Sequence, residues 1–257
     1  MRITATCVLI ISLSILPFDP LAAAEWGNLS GRIVYTGTIP KVELLEITRD
    51  EEVCGQHQLV DESLVVNPKD RGLQNVVVWL SSKKTVPVHP SFAENTKPAK
   101  LDNHNCRFVP RIVTLRTGQM LLSTNSDPVA HNVAVYGRRN TPFSEVIPND
   151  SPLKKTFSRE ELVPIRVDCS IHAWMRAYLM ITEHPYAAVT DKHGRFSISN
   201  VPAGTWQFKF WHEKVGCLPV ISNGDKEVEL SRGGWDIDIS GPDVILDQLS
   251  VSQLEDE

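Results

Sequence analysis

Short runs of β-branched and aromatic residues, cut every few positions by Gly, Pro, Asn or Asp, constrain this chain more than any other feature. GRIVYTG at 31–37, NVVVWL at 75–80 and HNVAVY at 131–136 set the pattern. Such runs suit half-buried strands bounded by turns. The same reading places strands at 120–124, 162–167, 177–181, 196–198, 206–211, 227–230 and 235–239. Helix signals are few. Thr48 and Glu51 stand at capping-box spacing, enough to start a single turn before Gly55, and 244–254 is a weak second candidate. A sheet with one apolar face needs a second layer to cover it, so the chain is expected to be all-β and built of sandwiches.

The first residues read MRITATCVLIISLSILPFDPLAAAEWG, with one charge at Arg2, an apolar stretch from Ile3 to Leu16 and small residues at Ala22 to Ala24. That is the pattern of a secretory signal peptide at 1–24, cleaved near Ala24, and the expected destination is the periplasm or the cell exterior. The apolar stretch is too short to cross a bilayer comfortably and no later segment is longer, so no membrane span is expected. The formal charge is -5 with scattered Lys and Arg, which leaves no basic stripe for phosphates and excludes nucleic acid as a partner. Once Cys7 leaves with the leader, Cys54, Cys106, Cys169 and Cys217 remain in an oxidising compartment. Exported cysteines tend to pair, and Cys54 with Cys106 is the expected disulfide, leaving Cys217 buried or unpaired.

Residues 25–100 form an N-terminal β segment without a chemical motif, able to pack on the domain that follows. Its end, PSFAENTKPAK at 90–100, is polar and Pro/Lys-rich and reads as a linker or long loop. Residues 101–183 carry the chemistry. A small separate sandwich is expected at 184–240 and a tail at 241–257.

The chemistry centres on CSIHAWM, which sets Cys169, His172 and Met175 at CxxHxxM spacing between the strand-like LVPIRVD and RAYLMI. A loop between strands can turn all three side chains to one point, whereas within a strand neighbours alternate faces. TNSDPVAHNVAVY supplies a second imidazole, His131, at the start of another strand. Thiolate, two imidazoles and a distant thioether are the trigonal set that electron-transfer copper sites use. Taken singly, the same residues also suit a structural zinc pair or a buried thiol.

NSDPVAHNV followed by CSIHAWM resembles the copper-binding pair of the plastocyanin and amicyanin cupredoxins, with CxxHxxM closest to amicyanin. The resemblance implies a Greek-key cupredoxin β-sandwich of eight strands holding one type 1 copper ion through His131, Cys169, His172 and Met175. It also implies that His172 shows its outer edge to solvent as the electron port. Asn132 is expected to stiffen the two copper loops through backbone hydrogen bonds. Between the two halves lies a charged stretch with Arg138, Arg139, Lys154 and Lys155, read either as a solvated loop or as a basic collar steering an acidic partner.

YAAVTDKHGRFSISNVPAGTW is similar to the carboxypeptidase regulatory-like (transthyretin-like) β-sandwich, whose recurring residues are structural. FWHEKVG lacks the second His of HExxH, so His212 and Glu213 do not read as a metal site. His57, His89 and His104 have no companion ligands and are expected at the surface, while His184 and His193 are placed in turns. Met120 and Met180 read as core. A cupredoxin joined to such a module resembles exported bacterial proteins of methylamine-utilisation-like type. It is expected to carry single electrons, not to act as an enzyme, and to dock transiently on a redox protein such as a c-type cytochrome or a dehydrogenase. A copper-binding or delivery protein is the alternative, as is a structural, partner-binding sandwich protein with a non-functional metal site.

Overall fold

The computed structural model describes residues 25–93, 97–149, 151–224 and 226–254; the expected leader at 1–24 lies outside them. Strands β1 (Trp26–Tyr35) and β2 (Val77–Leu80) come first, with the single helical turn α1 (Glu51–Cys54) between them. The next group comprises β3 (Ala99–His104), β4 (Arg107–Val109), β5 (Ile112–Arg116), β6 (Met120–Asn125) and β7 (His131–Val135). It continues through β8 (Phe143–Ile147), β9 (Leu153–Thr156), β10 (Ile165–Asp168) and β11 (Arg176–Thr182). The last group opens with β12 (Ala187–Val189), β13 (Arg195–Pro202), β14 (Gly204–His212) and β15 (Gly216–Cys217). It closes with β16 (Val220–Asn223), β17 (Lys226–Glu229), β18 (Gly234–Ile239) and β19 (Asp243–Val251).

The protein is all-β, as its punctuation predicts, and its strands form two sandwiches. In the first, the sheet β5-β11-β10-β7-β8 packs on the sheet β4-β3-β6-β9. The chain crosses from one layer to the other between β6 and β7, as Greek-key connections do. Leu101, Phe108, Leu121, Val133, Val135, Val167, Leu179 and Ile181 fill the space between the layers. In the second, the sheet β13-β1-β19-β16-β17 faces the sheet β12-β2-β14-β15, with β18 paired to β14. Leu29, Ile33, Val78, Leu80, Phe208, Phe210 and Leu249 form its core.

The two sandwiches are stacked through β2 and β11, which are buried on both faces. Because strand side chains alternate, Val78 and Leu80 enter the second core, whereas Val77 and Trp79 meet Ile112, Tyr178, Met180 and Trp211 between the sandwiches. That double burial accounts for the unbroken apolar run NVVVWL. Beside this contact the guanidinium of Arg111 donates to both oxygens of Glu213, at 2.6 and 2.7 Å. Burial, with Glu213 adding to it, pushes the Tyr178 phenol up to about 12.

The strand pairing departs from the expected division of the chain. β1 lies antiparallel to β13 and parallel to β19, and β2 pairs β12 and β14. Strands β1 and β2 of the N-terminal segment thus belong to the second sandwich rather than to the domain that directly follows them, and the expected tail at 241–257 contains the sheet strand β19. Of the stretch 244–254, residues 244–251 are strand, and none of it is helix. Gly31 pairs with Leu246 but Arg32 with Gln248, so one extra residue on β19 bulges out and sets Leu246 and Leu249 three apart on the buried face. That spacing imitates a helical face in the sequence. α1 is the expected single turn, but its N-cap is Asp50, in the left-handed region with no side-chain cap bond.

Candidate metal centre

His131, Cys169 and His172 converge. One ligand atom from each lies within 4.8 Å of the others, and all three residues are buried. Their positions follow from the local chain. His131 opens β7 directly after the Asn125–Ala130 turn, and Val135, at the far end of β7, pairs with Val167 of β10, the strand that leads to Cys169. The loop from Cys169 to Met175 is closed on itself: the Cys169 N–H donates to the Met175 carbonyl at 3.2 Å, and the Met175 N–H to the His172 carbonyl at 2.9 Å. Met175 is 2% exposed and packs in the core of the first sandwich beside Cys169.

The sulfur of Cys169 accepts two backbone N–H groups, from Asn132 at 3.3 Å and from His172 at 3.4 Å. Fixed donors of this kind are what an anionic sulfur ligand uses. The Asn132 side chain links the two loops, its Oδ1 accepting from the Ser170 N–H at 3.1 Å while its amide donates to Ser144.

Both imidazoles are held from behind by carboxylates. Nε2 of His131 lies 2.8 Å from Asp127, and Nε2 of His172 lies 2.8 Å from Asp50. Asp127 also accepts from the backbone N–H groups of Asn105 and Cys106. An ionised carboxylate only accepts, so each Nε2 must carry the proton. Nδ1 is then the ring nitrogen turned inward on each histidine, and the two Nδ1 atoms face each other at 3.0 Å, with Cys169 Sγ 3.8 Å from that of His172. Two ring nitrogens this close are joined either by one proton, in an N–H···N hydrogen bond, or by a metal ion, and with the Cys169 sulfur beside them the donor set is suited to a metal ion. Burial holds His131 below its ordinary pKa; the bond to Asp127 opposes this, and the neighbouring His172 adds to it.

His172 is 0% exposed. This corrects the expectation of a solvent-facing edge: Asp50 covers the outer nitrogen, and Trp174 lies over the ring with centroids 5.1 Å apart. The Trp174 indole N–H donates to the Cys106 carbonyl. Cys54 and Cys106 form the expected disulfide, with Cα atoms 5.5 Å apart, so the N-terminal segment is fastened beside the centre. Cys106, Asp127 and His131 also cluster, but the Cys106 sulfur is already in that disulfide and offers no thiolate. Cys217 is half-buried and free, as is expected of the cysteine left over.

Arg138 and Arg139, half of the charged stretch read as a collar, lie away from the centre. β7 runs away from His131, and Arg138 and Arg139 follow its far end, about 15 Å along the strand direction. Arg139 pairs with Glu160 and Lys155 with Glu145, and the buried Glu161 carboxylate accepts from the backbone N–H groups of Arg138, Arg139 and Asn140. The 138–140 turn is anchored by Glu161, away from the ligand cluster.

Three of the four residues singled out in the sequence, His131, Cys169 and His172, cluster here, and the disulfide is the expected one; Asp50, Asp127 and Trp174 were not foreseen. Asp127 stands four positions before His131, a spacing open to inspection; Asp50 stands 122 positions before His172, with no local signal.

No sequence-family profile matches the chain. No curated protein is similar to it in sequence. Solved structures share part of its shape. Amicyanin from Paracoccus versutus aligns at TM-score 0.30 and 19% identity, over 40% of this chain and 96% of that one. A purple cupredoxin from Nitrosopumilus maritimus aligns at TM-score 0.28 and 18% identity, over 33% and 97%. A copper-containing nitrite reductase from Thermus scotoductus aligns at TM-score 0.32 and 18% identity, over 37% of this chain but only 27% of the reductase.

Proposed function

We propose that the chain holds one copper ion through His131, Cys169 and His172, with Met175 as a weak fourth ligand, and passes single electrons between redox partners. The observation that carries this reading is the pair of imidazole Nδ1 atoms 3.0 Å apart beside the Cys169 sulfur, each ring fixed from behind by a carboxylate. One thiolate and two imidazoles, with the thioether of Met175 carried on the same loop, suit copper above other metals. The bound ion supplies the chemistry by alternating between its cupric and cuprous states. The protein's part is rigidity. Asn132 joins the two ligand loops, the Cys169–Met175 loop is closed by its own backbone, and the β7–β10 pairing fixes their separation.

Full burial favours a carrier over a delivery protein, because a cargo ion must be released readily and these ligands are all 2% exposed or less. The chain works in the periplasm or outside the cell, a reading supported by the leader-like residues 1–24 and the Cys54–Cys106 disulfide. Its partners are redox proteins, such as a c-type cytochrome or a dehydrogenase, met transiently. The second sandwich, with its carboxypeptidase regulatory-like segment, gives structural support and has no catalytic part.

The test is reversible cycling. Copper-loaded protein titrated with ascorbate and then ferricyanide should take up and return one electron per chain, the visible absorption vanishing and recovering in full. Loss of the metal to a chelator during one cycle would favour delivery instead.

A further inference from the structure

The residue that closes the centre comes from the segment with no motif. Asp50 adopts φ 49 and ψ 42, a left-handed conformation in which an L side chain is uncommon and Asp among the more tolerant. The turn is held in place. The Asp50 carbonyl accepts from the N–H groups of Val53 and Cys54, Cys54 is bonded to Cys106, and the Cys106 N–H donates to Asp127. One continuous bracket therefore joins the carboxylate behind His172 to the carboxylate behind His131. Although Asp50 stands at the N-cap of α1, its side chain makes no cap bond and turns to Nε2 of His172 instead.

We propose that Asp50 is a positioning residue of the metal centre: it keeps the proton on Nε2 of His172, holds Nδ1 toward the ligand cluster, and seals this ring's outer edge from water. The part of the inference that concerns copper rests on the electron-carrier reading above. A carboxylate behind a ligating histidine makes the ring a better donor and fixes its tautomer. Its negative charge favours the cupric over the cuprous state, because the former carries one more positive charge. With His172 enclosed, electron exchange uses a different face of the centre from the exposed histidine edge that the sequence resemblance implies.

Two variants separate charge from tautomer control. Asp50→Asn keeps the size, the tolerance for positive φ and an acceptor oxygen but removes the charge. Asp50→Gly keeps the backbone conformation and removes the side chain. In metal-free protein, nitrogen-15 shifts of the His172 ring should report the Nε2–H tautomer alone in the parent and in Asp50→Asn, and a mixture in Asp50→Gly. In chelator competition with copper(II) and copper(I), Asp50→Asn should lose about tenfold more affinity for copper(II) than for copper(I). Asp50→Gly should weaken copper(II) binding by about ten- to a hundredfold. An unchanged tautomer in Asp50→Gly, or an unchanged affinity ratio in Asp50→Asn, overturns the inference. A parent protein that takes up no copper, while its His172 tautomer responds to Asp50→Gly, overturns the copper reading and leaves the positioning role supported.

Discussion

The backbone N–H of Asn132 points at the sulfur of Cys169 from 3.3 Å, and the side chain of the same residue holds the next N–H along that loop, Ser170, at 3.1 Å. One residue thus fixes both the candidate ligand and the loop that carries it. Asn132→Ala leaves the Ser170 donor without its partner and should destabilise the metal-free protein by about 1–2 kcal/mol. Denaturant unfolding measures the cost. The sulfur keeps its backbone donor, so copper should still bind.

The Cys54–Cys106 bond spans 52 positions and carries the turn that covers His172. Replacing both cysteines by Ser should lower stability by about 2–4 kcal/mol. Amide exchange at residues 50–57 should accelerate more than in β10 or β11, because α1 is a single turn with little else to hold it.

Arg111 and Glu213 join the two sandwiches through a two-pronged ion pair, their side chains 12% and 3% exposed. Glu213→Gln leaves a buried guanidinium without its main counter-charge and should cost about 3 kcal/mol. It should also bring the Tyr178 phenol, now at about 12 through burial and Glu213, part of the way back toward its ordinary value. Ultraviolet titration of the tyrosines checks this independently of unfolding.

Burial depresses His184 and His212 to about 4, and for His212 the nearby Arg111 and Lys214 add to it. The unfolded chain therefore binds more protons than the native one between about pH 6.5 and 4, so stability rises with pH across that window. Acidification from 6.5 to 4 should remove stability at up to about 1.4 kcal/mol per pH unit for each histidine, with no further loss from these groups below 4. His212→Gln should flatten the slope of unfolding free energy against pH by its own share.

The features legible in the sequence were the local ones. CxxHxxM and the His131 turn are short local patterns open to inspection, and strand runs such as NVVVWL announce themselves by composition. Pairing over long distances left no such trace. The parallel β1–β19 contact joins the two ends of the described chain, and the bulge on β19 made a strand look helical. Asp50 was hidden for a related reason. A carboxylate that acts behind a ligand needs only to arrive at the right place, and the disulfide that brings it there closes a loop no spacing rule describes.

The central claim is tested most directly by adding one equivalent of copper(II) to the protein spanning residues 25–257 and to its Cys169→Ser variant and recording visible absorption and electron spin resonance. The account predicts an intense thiolate-to-copper absorption near 1:1 stoichiometry in the parent, absent in Cys169→Ser even where that variant still binds the ion. A parent that binds copper without this absorption, or a Cys169→Ser variant with an identical spectrum, would contradict it.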